Sequence, residues 1–192
     1  MPTTTDIGNL ALSRIGHNRF MTSYDDDTSN EADLIRLHYP ICRDAVLRAH
    51  PWNFAIKRVD LASIDETIPF EFTYAFTLPT DCLKVLRTEW ESQGIASEYR
   101  IEGRRLLCDN EACAIEYIAK ITDTNQFDPN FVDVLAWAIA AEVAAPLIND
   151  SNAAMKARQE YERVLREARA VDAQEGTPRE LIDAYSWVQA RI

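Results

Sequence analysis

The 192-residue chain is short of glycine and of positive charge: five glycines in all, and 20 Lys and Arg against 31 Asp and Glu. So few glycines leave little room for a glycine-rich phosphate loop, and no such motif is present. A formal net charge of −11 argues against a nucleic-acid groove, which needs a basic footprint. The four cysteines, Cys42, Cys82, Cys108 and Cys113, include no C-x-x-C pair. They read as reduced, mostly buried thiols of a cytosolic chain. His17, His38 and His50 are too scattered for a zinc site, and no HExxH occurs. No apolar run approaches the ~18 residues of a membrane span. The first residues, Met1 to Asp6, lack the basic and apolar regions of a secretory signal. There is no basic arm, no internal repeat and no low-complexity segment.

What is present suits one domain, or one domain with a small appendage. A hydrophobic fraction of 47% is ample for a core. The acidity is uneven. Residues 151–192 hold seven basic and seven acidic side chains, so the rest of the chain carries the whole −11.

The chain starts with helical patterning. Asp6 is placed to cap a first helix bearing Ile7, Leu10, Ala11 and Ile15, with Gly16 past its end. Thr28 and Glu31 have capping-box spacing before a second helix, whose expected buried face is Leu34, Leu37, Ile41 and Ala45. Pro40 inside it predicts a kink or short break. From Trp52 to Ile121 the texture changes to short alternating runs. Phe70, Phe72, Tyr74 and Phe76 alternate, Leu83 to Thr88 follows, and Tyr99–Cys108 reads as a hairpin around Gly103-Arg104. With Ala114–Ile121 this predicts an antiparallel meander of about four strands. Asp128 and Pro129 restart a helix as N-cap and N1, with Phe131, Leu135, Ala138 and Glu142 on one face and Pro146 ending or bending it. A last long helix carries Ala154, Ala157, Tyr161, Val164, Ala168 and Val171 as a narrow seam. Gly176 breaks it, and Thr177-Pro178-Arg179-Glu180 caps a short terminal helix with Leu181, Tyr185, Trp187 and Val188. The predicted class is α+β: a helical bundle from 1–51 and 127–175, an antiparallel β insertion at 52–126, and a C-terminal arm at 176–192.

Candidate chemistry is thin. Asp25-x-Asp27-x-Ser29 begins like a calcium loop, but Asn30 and Arg36 stand where glycine and glutamate are needed. No serine sits in a nucleophile-elbow context. Glu89 and Glu91 could form an acid–base pair, though such pairs arise by chance among 31 acids. The residues alone predict no catalytic site, cofactor or metal.

The most informative stretch is Arg43 to Ala55. Val46 and Ala49 share a helical face with Cys42, and His50-Pro51 stops the helix, because proline disfavours the α conformation in the residue before it. Trp52 and Phe54 alternate about Asn53, predicting an extended segment that buries two rings where a helix hands over to a strand. Arg-Asp-x-x-Leu-x-x-His-Pro-Trp-Asn-Phe-Ala resembles the signature of the tail tubular protein A family, the head-to-tail adaptors of short-tailed bacteriophages and prophages. Four further stretches resemble it in order: Asn9–Gly16, Leu78–Leu83, Phe127–Asp133 and Asp172–Pro178.

The resemblance covers nearly the whole chain and implies a structural virion protein of the tail, not an enzyme. Family members form a ring, usually of twelve copies, between the portal protein and the tail nozzle protein, and DNA passes through the channel without sequence-specific binding. It implies that His50, Pro51, Trp52, Asn53 and Phe54 are scaffold. It also implies that the C-terminal arm, with Thr177, Pro178, Leu181, Tyr185 and Trp187, makes assembly contacts. No membrane partner is implied. A DNA-packaging accessory protein and a small cell-wall hydrolase stand as the alternatives.

Overall fold

The computed structural model describes residues 2–95, 97–148 and 150–175. The chain is α+β, and the described residues fall into two compact units. One is helical, formed by the chain up to Ala55 and by Lys120–Glu175; the other is the β unit Ile56–Ala119. Trp52–Ala55 and residues 120–126, expected in the β insertion, therefore belong to the helical unit. The arm at 176–192 lies outside the described residues.

The helical unit is built on α4 (Pro129–Ile148), which packs against α1 (Thr4–Arg14), α2 (Asn30–Ala49) and α5 (Ser151–Asp172). Its side chains from Phe131 to Ala144 are apolar nearly all round, and Phe131, Val134, Leu135, Ile139, Ala140 and Val143 are buried. By length and composition α4 could cross a membrane, with a mean hydropathy of 1.8, which corrects the expectation that no run comes near that limit. Half of that window is buried inside the fold, as befits the central helix of a bundle. Asp128 opens the helix as expected, its carboxylate accepting from Asn130 N–H at 2.7 Å. Pro146 does not end it, since the helix runs on to Ile148.

Several local expectations shift. Thr3, not Asp6, caps α1; Asp6 is the third residue of the resulting capping box. Gly16 follows the helix with φ +72°, the left-handed value that glycine tolerates. Ser29, not Thr28, caps α2, and Glu31 turns instead to His17, 2.9 Å away. That hydrogen bond holds the Glu31 carboxyl below its usual range. α2 is unbroken at Pro40.

The buried face of α2 is also the other one. Ala32, Ile35, Tyr39, Cys42, Val46 and Leu47 face inward, while Leu37, Ile41 and Ala45 are exposed. Apolar residues occur on both faces, so periodicity alone is ambiguous. Gly8 sets how closely α1 and α2 approach: a Cβ there would meet the Met21 methyl and stand 2.9 Å from Ile35 Cγ2. On α5, Ala157, Val164 and Ala168 are buried, but Val171 is exposed and Asp172 takes the buried place beside it.

The β unit has seven described strands in two antiparallel sheets, not one meander of four. In the first sheet β7 (Ala114–Ala119) lies between β1 (Ile56–Asp60) and β4 (Cys82–Thr88). The second has the order β2 (Ala62–Ile64), β3 (Tyr74–Thr77), β6 (Arg105–Cys108), β5 (Tyr99–Glu102). The β5–β6 hairpin turns through Gly103 at φ +60° as expected. β1 gives no alternating signal because most of its residues are exposed. The Phe70 to Phe76 alternation yields a strand only from Tyr74, because Glu71 has φ +71° and breaks the extended run, leaving Phe70 exposed. A short helix, α3 (Glu89–Ser92), follows β4 with a Thr88–Glu91 capping box and buries Trp90.

Candidate functional site

The corner after α2 is a tight turn, not an extended segment. His50 is extended before Pro51, as the residue before proline must be, and Asn53–Ala55 forms a 3-10 turn. The turn closes through Trp52 N–H to His50 O and Ala55 N–H to Trp52 O, both at 2.9 Å. Trp52 is fully buried and its indole N–H donates to Val46 O at 2.9 Å, satisfying a carbonyl in the last turn of α2. Phe54 is only half-buried, whereas both rings were expected inside. The rings meet others of the helical unit. Trp52 stands edge-on to His50 at 5.0 Å and to Phe131 at 5.3 Å, and Phe54 meets Phe131 at 5.1 Å and Phe127 at 6.0 Å.

The partner that sequence reasoning missed is Asp172. Its carboxylate is 2.9 Å from His50 Nε2 and accepts from Asn53 N–H at 3.2 Å. Its carbonyl accepts from the Asn53 side-chain amide at 2.8 Å. Arg169, one turn earlier, donates to Ala49 O at 2.6 Å, placing a cation at the C-terminal end of α2. The stretch Asp172–Pro178 carried this signal only as part of an ordered resemblance; nothing in its local pattern pointed to His50.

Three of the five resemblance stretches thus converge, through His50–Phe54, Phe127 with Phe131, and Asp172. The other two hold parts of their own units together. In the first, the Asn9 side chain brackets Met21, donating to its carbonyl and accepting from its N–H, each at 2.9 Å. Arg14 pairs with Asp133 and lies 4.7 Å from the centre of the Trp137 ring. In the β unit, Asp81 joins strands, accepting from Lys57 at 2.9 Å and from the Tyr117 hydroxyl at 3.1 Å. Burial together with that bond pushes the Tyr117 phenol up to about 12.

The candidate chemical groups are occupied elsewhere. Asp27 accepts from Thr22 and Ser29 N–H at 2.7 and 2.8 Å, which drives its carboxyl far below its ordinary value and makes it a loop staple. Glu91 is the capping-box acid of α3, its carboxylate 2.8 Å from Thr88 N. Glu116, buried in β7, accepts from Arg58 at 3.0 Å and Arg87 at 2.8 Å, clamping the three strands of its sheet. Burial pushes the Cys42 and Cys113 thiols up to about 12, far from the thiolate form that attacks or binds metal. Among the described residues no group of three or more His, Cys, Asp or Glu could hold a metal. The expected assembly residues Thr177, Pro178, Leu181, Tyr185 and Trp187 lie outside the described residues. No family model matches the chain, and a search of the curated proteins finds no match.

Proposed function

We propose that this chain is a structural subunit of a head-to-tail connector ring, joining a phage portal to the tail nozzle and leaving a channel for DNA. The observation that carries this reading is the use made of the five resemblance stretches. Each supplies side chains that tie separate segments together, from Asn9 and Arg14 through Trp52 and Asp81 to Phe131 and Asp172, and among their described residues none presents a nucleophile beside a base. A subunit that must keep its shape within a ring needs such joints. On this reading residues 177–192 are the arm that attaches the ring to the portal. The native mass of the chain mixed with a short-tailed phage portal protein tests the proposal: rings, alone or on the portal, support it, and a monomer that never associates overturns it.

The acidity fits the same role. Twelve copies at −11 each carry about −130, a field that repels phosphates and lets DNA slide through a channel. The isolated chain should therefore show no saturable binding to duplex DNA at physiological salt in an anisotropy titration. Tight binding that weakens steeply with salt would favour a DNA-packaging accessory protein instead.

A further inference from the structure

β1 is an edge strand that the fold leaves open. It ends its sheet, with β7 on one side and no strand among the described residues on the other. Lys57, Arg58, Val59 and Asp60 are all exposed, so neither face of the strand is covered. Its backbone is half used. Leu61 N–H donates to Cys113 O at 2.8 Å, continuing the ladder in which Ile56 stands opposite Ile118. Bonded pairs alternate along an antiparallel ladder, so Lys57 and Val59 turn their amides and carbonyls toward β7. Those of Ile56, Arg58 and Asp60 point away from it, and none of the three meets a backbone partner among the described residues. An open row of this kind is a template for a further strand.

We propose that this edge pairs with the same edge of a second copy, antiparallel about a twofold axis at Val59. The strand's own residues select the partner and the register. A twofold antiparallel pair sets residues of the same face opposite each other. The registers that overlap more than one residue of the strand are therefore centred on Lys57, Arg58, Val59 or Asp60. Three of them place Lys57 on Lys57, Arg58 on Arg58 or Asp60 on Asp60, and like charges directly opposite are destabilising. Centred on Val59, the pair sets Arg58 of each copy opposite Asp60 of the other and brings the two valines together. Arg58 and Asp60 are the residues whose backbone points outward, so each such pair exchanges ladder bonds while its side chains carry opposite charge. Both side chains are available for it. Arg58 touches Glu116 at 3.0 Å yet is 74% exposed, and Asp60 has no ion-pair partner among the described residues. A lysine on an edge ordinarily guards against pairing, but here Lys57 falls opposite Leu61, where its stem lies along the leucine and its ammonium reaches water. The pairing joins two three-stranded sheets into one. So short an edge buries little, and the pair is weak and concentration-dependent. This inference does not depend on the ring reading, because a pair and a ring differ in mass.

Sedimentation equilibrium of the full chain, taken from micromolar toward millimolar concentration, tests it. The mass should rise toward that of two copies. Asp60→Arg sets arginine against Arg58 in both halves of the pair and should raise the concentration needed for pairing at least about tenfold. Asp60 is exposed, so the circular dichroism should stay unchanged. A covalent readout fixes the register. Opposed residues without ladder bonds between them are the closer kind, near the reach of a disulfide. Val59→Cys should therefore form a disulfide-linked pair under mild oxidation, joined at position 59 by peptide mapping, and Lys57→Cys should not. A mass that stays at one copy, pairing indifferent to Asp60→Arg, or Lys57→Cys linking as readily as Val59→Cys would overturn the proposal. Rings in which Val59→Cys does not link would also overturn it, while supporting the ring reading.

Discussion

Trp52→Ala should cost the chain about 3–5 kcal/mol of stability, the range for truncating a fully buried aromatic. The side chain has no exposed surface and stands edge-on between His50 and Phe131. Its removal leaves a hole at the meeting of α2, the 3-10 turn and the start of α4. It also strips the indole donor from Val46 O, in a turn of α2 whose carbonyls have few other partners. Phe54 is half-exposed, and a Phe54→Ala change should cost less. For a chain of this size 3–5 kcal/mol corresponds to a melting shift of about 10 °C. Denaturant unfolding followed by circular dichroism measures it, and an unchanged midpoint would show that the corner is a surface and not a joint.

Asp172→Ala should cost about 3 kcal/mol, because one buried carboxylate serves two groups of the corner. It faces His50 Nε2 and accepts the Asn53 backbone N–H. Without it a half-buried imidazole and a turn amide lose their partner, and breaking a buried pair from one side is more costly than an exposed ion pair is worth. Asp172→Asn should cost less, since an amide oxygen can still accept from Asn53. A midpoint change below about 0.5 kcal/mol for Asp172→Ala, within the range of ordinary surface substitutions, would mean that Asp172 is carried by the fold and does not hold it. Both changes fall within the helical unit.

How much of this was legible in the sequence follows from the range of each signal. Helices announced by local chemistry appear where expected: Asp128-Pro129 opens α4, His50-Pro51 closes α2, and Gly103 turns the β5–β6 hairpin. These depend on neighbours a few residues apart. Where tertiary contacts decide, the sequence misled. The α2 stripe Leu34-Leu37-Ile41-Ala45 has good helical spacing, yet α4 packs against the opposite face and leaves Ile41 to solvent. Trp52 and Phe54 alternate like strand residues but form a 3-10 turn, because the indole reaches back to Val46 and the backbone closes on His50. β1 went unseen because its order comes from pairing with β7, Ile56 opposite Ile118 and Val59 opposite Ile115, with little burial of its own. Asp172 was invisible as a partner of His50 for the same reason: 122 residues separate them, and no periodicity spans that distance.

We propose that these joints serve an assembled ring. The most direct test is negative-stain imaging of the full-length chain mixed with a short-tailed phage portal protein. A ring subunit should give ring-shaped density stacked on the portal, with a symmetry matching about twelve copies and an open central channel. Portal particles that stay bare, beside a chain that remains monomeric at every concentration and salt tested, would contradict it.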